Sequence, residues 1–148
     1  MNSPISWLLV ALQFALIVVL IAGTEARGAP LANAIAFGLV AAATFVGVAA
    51  LASNRPGNFN VRPEVKAGAR LVTDGIYAYI RHPMYAALLL LMLAALVADP
   101  RPWRIAAWIA LLAVLLAKAA REEAFLRQRF AEYAHYQART KRLIPRVY

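Results

Sequence analysis

The sequence predicts an all-α integral membrane protein. It has four transmembrane helices, a cytoplasmic loop over 53–82 and a C-terminal amphipathic helix, all in a single domain over 1–148. Three observations predict this. Apolar residues make up 63% of the chain, against roughly 45–50% in average domains. They gather in four runs, at about 5–22, 31–52, 83–98 and 103–120. The 16 basic residues, behind a formal net charge of +9, are sorted between the connections rather than spread evenly. Lys and Arg concentrated beside apolar spans mark cytoplasmic flanks. The charge therefore reads as a membrane signal, and no nucleic-acid partner is expected.

The first span runs from Ile5 to Ala22. A signal peptide is the alternative, but the leading Met1-Asn2-Ser3-Pro4 carries no side-chain charge, unlike a usual n-region. A retained helix is expected. The second, Leu31 to Ala52, meets the roughly 20 residues a bilayer requires. The third, Pro83 to Ala98, and the fourth, Trp103 to about Ala120, are short. Little tilt or a locally thinned bilayer would accommodate them. Between them, Asp99-Pro100-Arg101-Pro102 is strong turn chemistry, so these two spans should form a tight hairpin.

The 53–82 loop is long for so small a protein, and long ordered loops are often functional. Arg55-Pro56-Gly57-Asn58-Phe59-Asn60, Arg62-Pro63 and Asp74-Gly75 mark successive turns in it. After span four, Phe125, Leu126, Phe130, Tyr133 and Tyr136 or Gln137 recur at intervals of three and four among charged residues. That pattern is an amphipathic helix near the interface. It should continue from span four and end at Leu143-Ile144-Pro145. Alanine is abundant in every span, which permits close helix packing and leaves the oligomeric state open.

Alternating spans would place 13 of the 16 basic residues on one side. Both termini and the 53–82 loop are then cytoplasmic. Cysteine is absent, so no disulfide framework or thiol chemistry is available. His82 and His135 are too few for a zinc centre without carboxylate help, and no metal is expected.

The chemistry concentrates at two places. His82 precedes Pro83, which suits the first position of a helix. The N–H groups of Met84 and Tyr85 should point from the start of span three, where the helix dipole favours an anion. Arg81 and His82 add positive charge, and Tyr77, Tyr79 and Tyr85 add rings and hydroxyls. The plainer reading is a set of interface anchors. The second place is Lys118-Ala119-Ala120-Arg121-Glu122-Glu123, where span four leaves the membrane. Lys118 and Glu122 share a helix face. They form an ordinary surface ion pair, worth about 0.3–0.5 kcal/mol, or present a carboxylate to a cationic ligand. Together the two places could clamp a zwitterion. His135 reads as a surface residue of the tail. No G-x-G-x-x-G or Walker pattern occurs.

Leu71-Val72-Thr73-Asp74-Gly75-Ile76-Tyr77, Arg81-His82-Pro83-Met84-Tyr85, Glu122-Glu123 and a tail with Arg142-Leu143-Ile144-Pro145 resemble the isoprenylcysteine carboxyl methyltransferase family, which is similar to membrane phospholipid methyltransferases. The resemblance covers roughly 55–147. It implies S-adenosylmethionine as methyl donor. It also implies a cofactor site made of Ala69, Arg70, Leu71, Val72, Tyr77, His82, Pro83, Met84, Tyr85 and Glu122. His82 and the start of span three would take the cofactor's carboxylate, Tyr77 and Tyr85 would line the pocket, and Glu122 would meet a polar or cationic part. A lipid or lipidated substrate would enter from the bilayer. Where the eukaryotic enzymes of the family carry a substrate-contacting arginine, this chain has Lys118, which keeps the charge without the bidentate fork. Arg121 and Arg142 are further substrate or catalytic candidates. Phe130-Ala131 stands where the family usually has Phe-Gly.

The expected activity is methyl transfer to a lipophilic acceptor, with a carboxylate of the isoprenylcysteine type first. N-methylation of a phospholipid amine is the alternative. A non-enzymatic basic module binding anionic lipid or a partner protein is another. A small transporter subunit fits less well, since no span carries a charge in its middle.

Overall fold

The computed structural model describes residues 4–25, 27–54 and 70–148. Their regular elements are all helical: α1 (Pro4–Ile21), α2 (Pro30–Ser53), a 3-10 turn (Gly75–Ala78), α3 (Pro83–Ala98), α4 (Pro102–Arg129) and α5 (Tyr133–Arg139). The turn-rich opening of the long loop, Arg55 to Pro63, and Ala69 lie outside the described residues.

Four helices begin at a proline. Its fixed φ suits the first turn, and its missing N–H would have had no helical partner there. α1, α2 and α4, of 18, 24 and 28 residues, are long and apolar enough to cross a membrane. α3 is apolar but has 16 residues, about 24 Å at 1.5 Å per residue. Of the two spans expected to be short, the third is short as α3, while the fourth lies within α4, the longest helix.

The connection from α3 to α4 is as short as the turn residues predict. The tightest packing lies elsewhere, since α3 lies chiefly on α2 and α1 runs along α4. Ala36, Ala43 and Ala50, seven residues apart, form the buried stripe of α2. Their small side chains let α3 approach closely. Leu20, Leu89, Met92, Leu111, Leu115 and Leu143 form the core that joins the helices. Leu31, Phe37, Phe45 and Val48 point outward from α2, as lipid-facing side chains do.

At one end of the bundle a single cation ties three elements together. Arg104, fully buried at the start of α4, donates to the Leu20 and Ala22 carbonyls at 3.0 and 3.1 Å and to Thr24 Oγ1 at 2.7 Å. It lies 3.4 Å from Asp99. The last carbonyls of α1, which lack helical partners, are satisfied this way. Burial would raise the Asp99 carboxyl, but Arg101 and Arg104 together hold it below its ordinary value.

The tail departs from the sequence expectation. α4 continues from span four to Arg129, then breaks at Phe130 (φ −124°, ψ 115°). α5 follows, and the chain leaves helical geometry at Thr140, ahead of Leu143-Ile144-Pro145. So the single amphipathic helix is two pieces and an extended end. The cause is tertiary. The Lys141 N–H donates to the Tyr79 carbonyl, and the Arg81 and His82 N–H groups donate to the Lys141 and Arg142 carbonyls. The tail leaves its helix to satisfy backbone groups of the loop that feeds α3.

Candidate active site

The end of α2, the start of α3, the charged part of α4 and the tail meet at the other end of the bundle. The approach to α3 is fixed first. Gly75 opens the 3-10 turn with φ +54°, and a Cβ there would collide with Ser53 on α2. The Ile76 N–H reaches Ser53 Oγ at 3.4 Å, and Asn54 Nδ2 reaches the Tyr77 hydroxyl at 3.5 Å. Burial pushes the Tyr77 hydroxyl pKa up. Tyr136 of α5 donates its hydroxyl to the Tyr77 carbonyl at 2.7 Å, and burial raises its pKa too.

Glu123 is the centre of this end, with no exposed side-chain surface. Its Oε1 lies 3.0 Å from Arg81 Nε, 3.2 Å from His82 Nε2 and 3.2 Å from Arg142 Nε. Its Oε2 receives Arg142 Nη2 at 2.9 Å and Gln137 Nε2 at 3.2 Å. An ionised carboxylate only accepts, so His82 Nε2 carries its hydrogen. The hydrogen bonds that Arg142 donates to Glu123 raise the guanidinium pKa above its ordinary value. Arg81 also reaches the Gln137 and Thr140 carbonyls. One carboxylate thus fastens the loop, α3 and the tail to α4.

Glu122 faces another way, because successive helical residues point about 100° apart. Its side chain keeps 35% of its surface exposed. It accepts the Tyr85 hydroxyl at 3.2 Å, and His82 Nδ1 lies 3.6 Å away. The His82 and Tyr85 rings are parallel, 5.3 Å apart. The Lys118 ammonium sits 5.5 Å from the centre of the Tyr85 ring. Lys118 is fully buried and donates to Gln13 Oε1 of α1.

Three of the residues singled out in the sequence, His82, Lys118 and Glu122, therefore surround a fourth, Tyr85. Pro83 is buried, and Met84 is exposed at the first turn of α3. Leu71 and Val72 are half-buried and Arg70 is exposed on the approach to the 3-10 turn, with Arg121 half-buried just before Glu122. Arg142 belongs to the Glu123 cluster. His135 is exposed on α5.

Three local expectations change. The Tyr85 N–H donates to the His82 carbonyl, so it is not offered to a ligand. Lys118 pairs with Gln13 rather than with Glu122, because its side chain runs toward α1. Arg81 and His82 already face a carboxylate of the chain itself. Sequence reasoning gave no weight to Glu123 over Glu122, nor to Gln13, Gln137 and Tyr136. The usable signal for Gln13 was a polar side chain inside an apolar span, where polar groups seek partners.

A separate apolar cleft of about 410 Å³ lies toward the opposite end of the bundle, between Ile21, Phe37, Val40, Leu91 and Ala95. It does not include the Glu122 cluster.

The model of the isoprenylcysteine carboxyl methyltransferase (ICMT) family matches residues 34–128. That segment contains most of α2, all of α3, and His82, Tyr85, Lys118, Glu122 and Glu123. No curated protein matches the chain.

Proposed function

The chain belongs to the isoprenylcysteine carboxyl methyltransferase family, and from that premise we propose that it transfers a methyl group from S-adenosylmethionine to the carboxylate of a lipophilic acceptor. The observation that carries the reading is the partly exposed Glu122 carboxylate, held by Tyr85 beside a buried ammonium, Lys118.

The chemistry of these residues fits the cofactor. A carboxylate can accept several hydrogen bonds. Glu122 accepts one from Tyr85, which leaves capacity for the cofactor's ammonium. The rings of Tyr77 and Tyr85 offer apolar faces to an adenine or a sulfonium. Exposed Met84 leaves the first turn of α3 accessible, where the helix dipole favours the cofactor's carboxylate.

When bound, S-adenosylmethionine supplies an electrophilic methyl group on its sulfonium. A carboxylate acceptor carries its nucleophilic lone pair already, so no side chain needs to remove a proton. The tasks left to the chain are alignment and exclusion of water. Glu122 and Tyr85 hold the donor side, Lys118 attracts the acceptor's charge, and the Glu123-fastened tail covers the end of the bundle. A cationic phospholipid amine would meet the Lys118 ammonium unfavourably and would also need a base. This orders carboxylate ahead of amine. The acceptor would reach the site sideways from the bilayer, and the basic loop and tail would lie on the cytoplasmic side.

Calorimetric titration of the purified protein with S-adenosylmethionine or its demethylated product tests the reading. Saturable binding is expected. Absence of saturation at millimolar ligand overturns it.

A further inference from the structure

Among the described residues the bundle contains two fully buried cations, Arg104 and Lys118, and they are built differently. Arg104 has an acidic neighbour, Asp99, and oxygen acceptors from Leu20, Ala22 and Thr24. Its charge is met inside the chain, as a structural cation requires. Lys118 has one hydrogen-bond acceptor among the described residues, the neutral amide oxygen of Gln13. No carboxylate of the described residues comes within ion-pair distance of its ammonium. An ammonium donates three hydrogen bonds. The Tyr85 ring supplies partial compensation, and two N–H groups have no hydrogen-bond acceptor among the described residues.

Gln13 belongs to the buried stripe of α1 with Ser6, Val10 and Leu20. α1 lies wholly outside the family-matched segment, 34–128. We propose that Gln13 is a positioning residue: it holds the Lys118 ammonium beside Tyr85 without neutralising it, so that α1 completes a subsite for the anionic head of the acceptor. The inference rests on the methyl-transfer reading for the acceptor's role, but the subsite itself is a matter of charge and geometry.

The choice of side chain is the core of the argument. A carboxylate at position 13 would make the same contact and would complete an ion pair. The cation would then resemble Arg104, with its charge satisfied and nothing left for a ligand. A glutamine amide orients the ammonium through its oxygen and adds no counter-charge to it. Glu122 acts on this ammonium only from beyond ion-pair contact, and a buried ammonium with no carboxylate in contact favours an anion that can reach it. Tyr85, whose ring faces the ammonium, and Glu122 are both half-exposed. An acceptor carboxylate entering there would lie beside the donor side of the site.

The test compares Gln13→Glu with Gln13→Leu in the full-length purified protein. The probes are S-farnesyl-N-acetylcysteine and its carboxamide, which differ only in charge at the head. The wild-type protein should bind the carboxylate at least tenfold more tightly than the amide. Gln13→Glu should keep the melting temperature and cofactor affinity, because its contact with Lys118 survives, yet lose that tenfold preference. Gln13→Leu should weaken carboxylate binding and raise its KM more than it lowers kcat. Retention of the wild-type preference by Gln13→Glu overturns the proposal, since a purely structural role predicts that result. A wild-type protein that prefers the carboxylate but binds no cofactor would support the subsite and sink the methyl-transfer reading, so the two failures are distinguishable.

Discussion

Glu122 and Glu123 are chemically identical neighbours with different surroundings. Glu123 has no exposed side-chain surface and faces Arg81, His82 and Arg142. Glu122 is partly exposed and faces Tyr85. Removing one member of a buried ion cluster leaves uncompensated charge and costs about 3–5 kcal/mol. Glu123→Gln should therefore lower the melting temperature in detergent markedly. Glu122→Gln should leave melting nearly unchanged and weaken S-adenosylmethionine binding at least tenfold. A reversed pattern would exchange the roles assigned to the two residues. The sequence showed the pair and placed it where α4 becomes polar. It did not show which member faces inward, because helical phase has meaning only once neighbours surround the helix.

At the scale of elements, the approach to α3 depends on a close backbone contact. Gly75 has φ +54°, and its missing Cβ leaves room for Ser53. An L-residue in this conformation costs roughly 1–2 kcal/mol before any collision. Gly75→Ala should destabilise the protein by at least that amount, measured by thermal melting, and shift the 3-10 turn away from α2. Full retention of stability would mean that the contact is not needed to seat Tyr77. Helix starts were readable from the prolines, and the hairpin turn from Asp99 to Pro102. The tail was not. Its period of three and four continues past Phe130, but the chain unwinds at Thr140 to hydrogen-bond the segment from Tyr79 to His82. Local periodicity carries no information about an unsatisfied backbone elsewhere in the chain.

Across the whole molecule, the two ends differ in charge. Arg104 and Asp99 tie one end, while the Glu123 cluster and the basic tail form the other. From the positive-inside tendency we propose that the second end faces the cytoplasm. Because the chain has no cysteine, single cysteines give a clean test in oriented membrane vesicles. Lys141→Cys and Arg129→Cys, both at exposed positions, should react with an impermeant maleimide from the cytoplasmic face. Glu25→Cys, also exposed, should react from the opposite face. Labelling of all three from one face would rule out this topology.

Hydropathy, proline spacing and the sorting of Arg and Lys determined the all-helical, apolar character of the chain, the starts of its long helices and the motifs that mark the family. These follow from local rules: apolar runs suit a bilayer, and proline opens a helix. Only the tertiary structure decided which groups meet. It turned Lys118 from Glu122 toward Gln13 and gave Arg81, His82 and Arg142 a common carboxylate. It left Glu122 accessible while enclosing Glu123. The physical reason is that a charge taken out of water must find its partner in space, and in a helical bundle that partner comes from a helix distant in the chain.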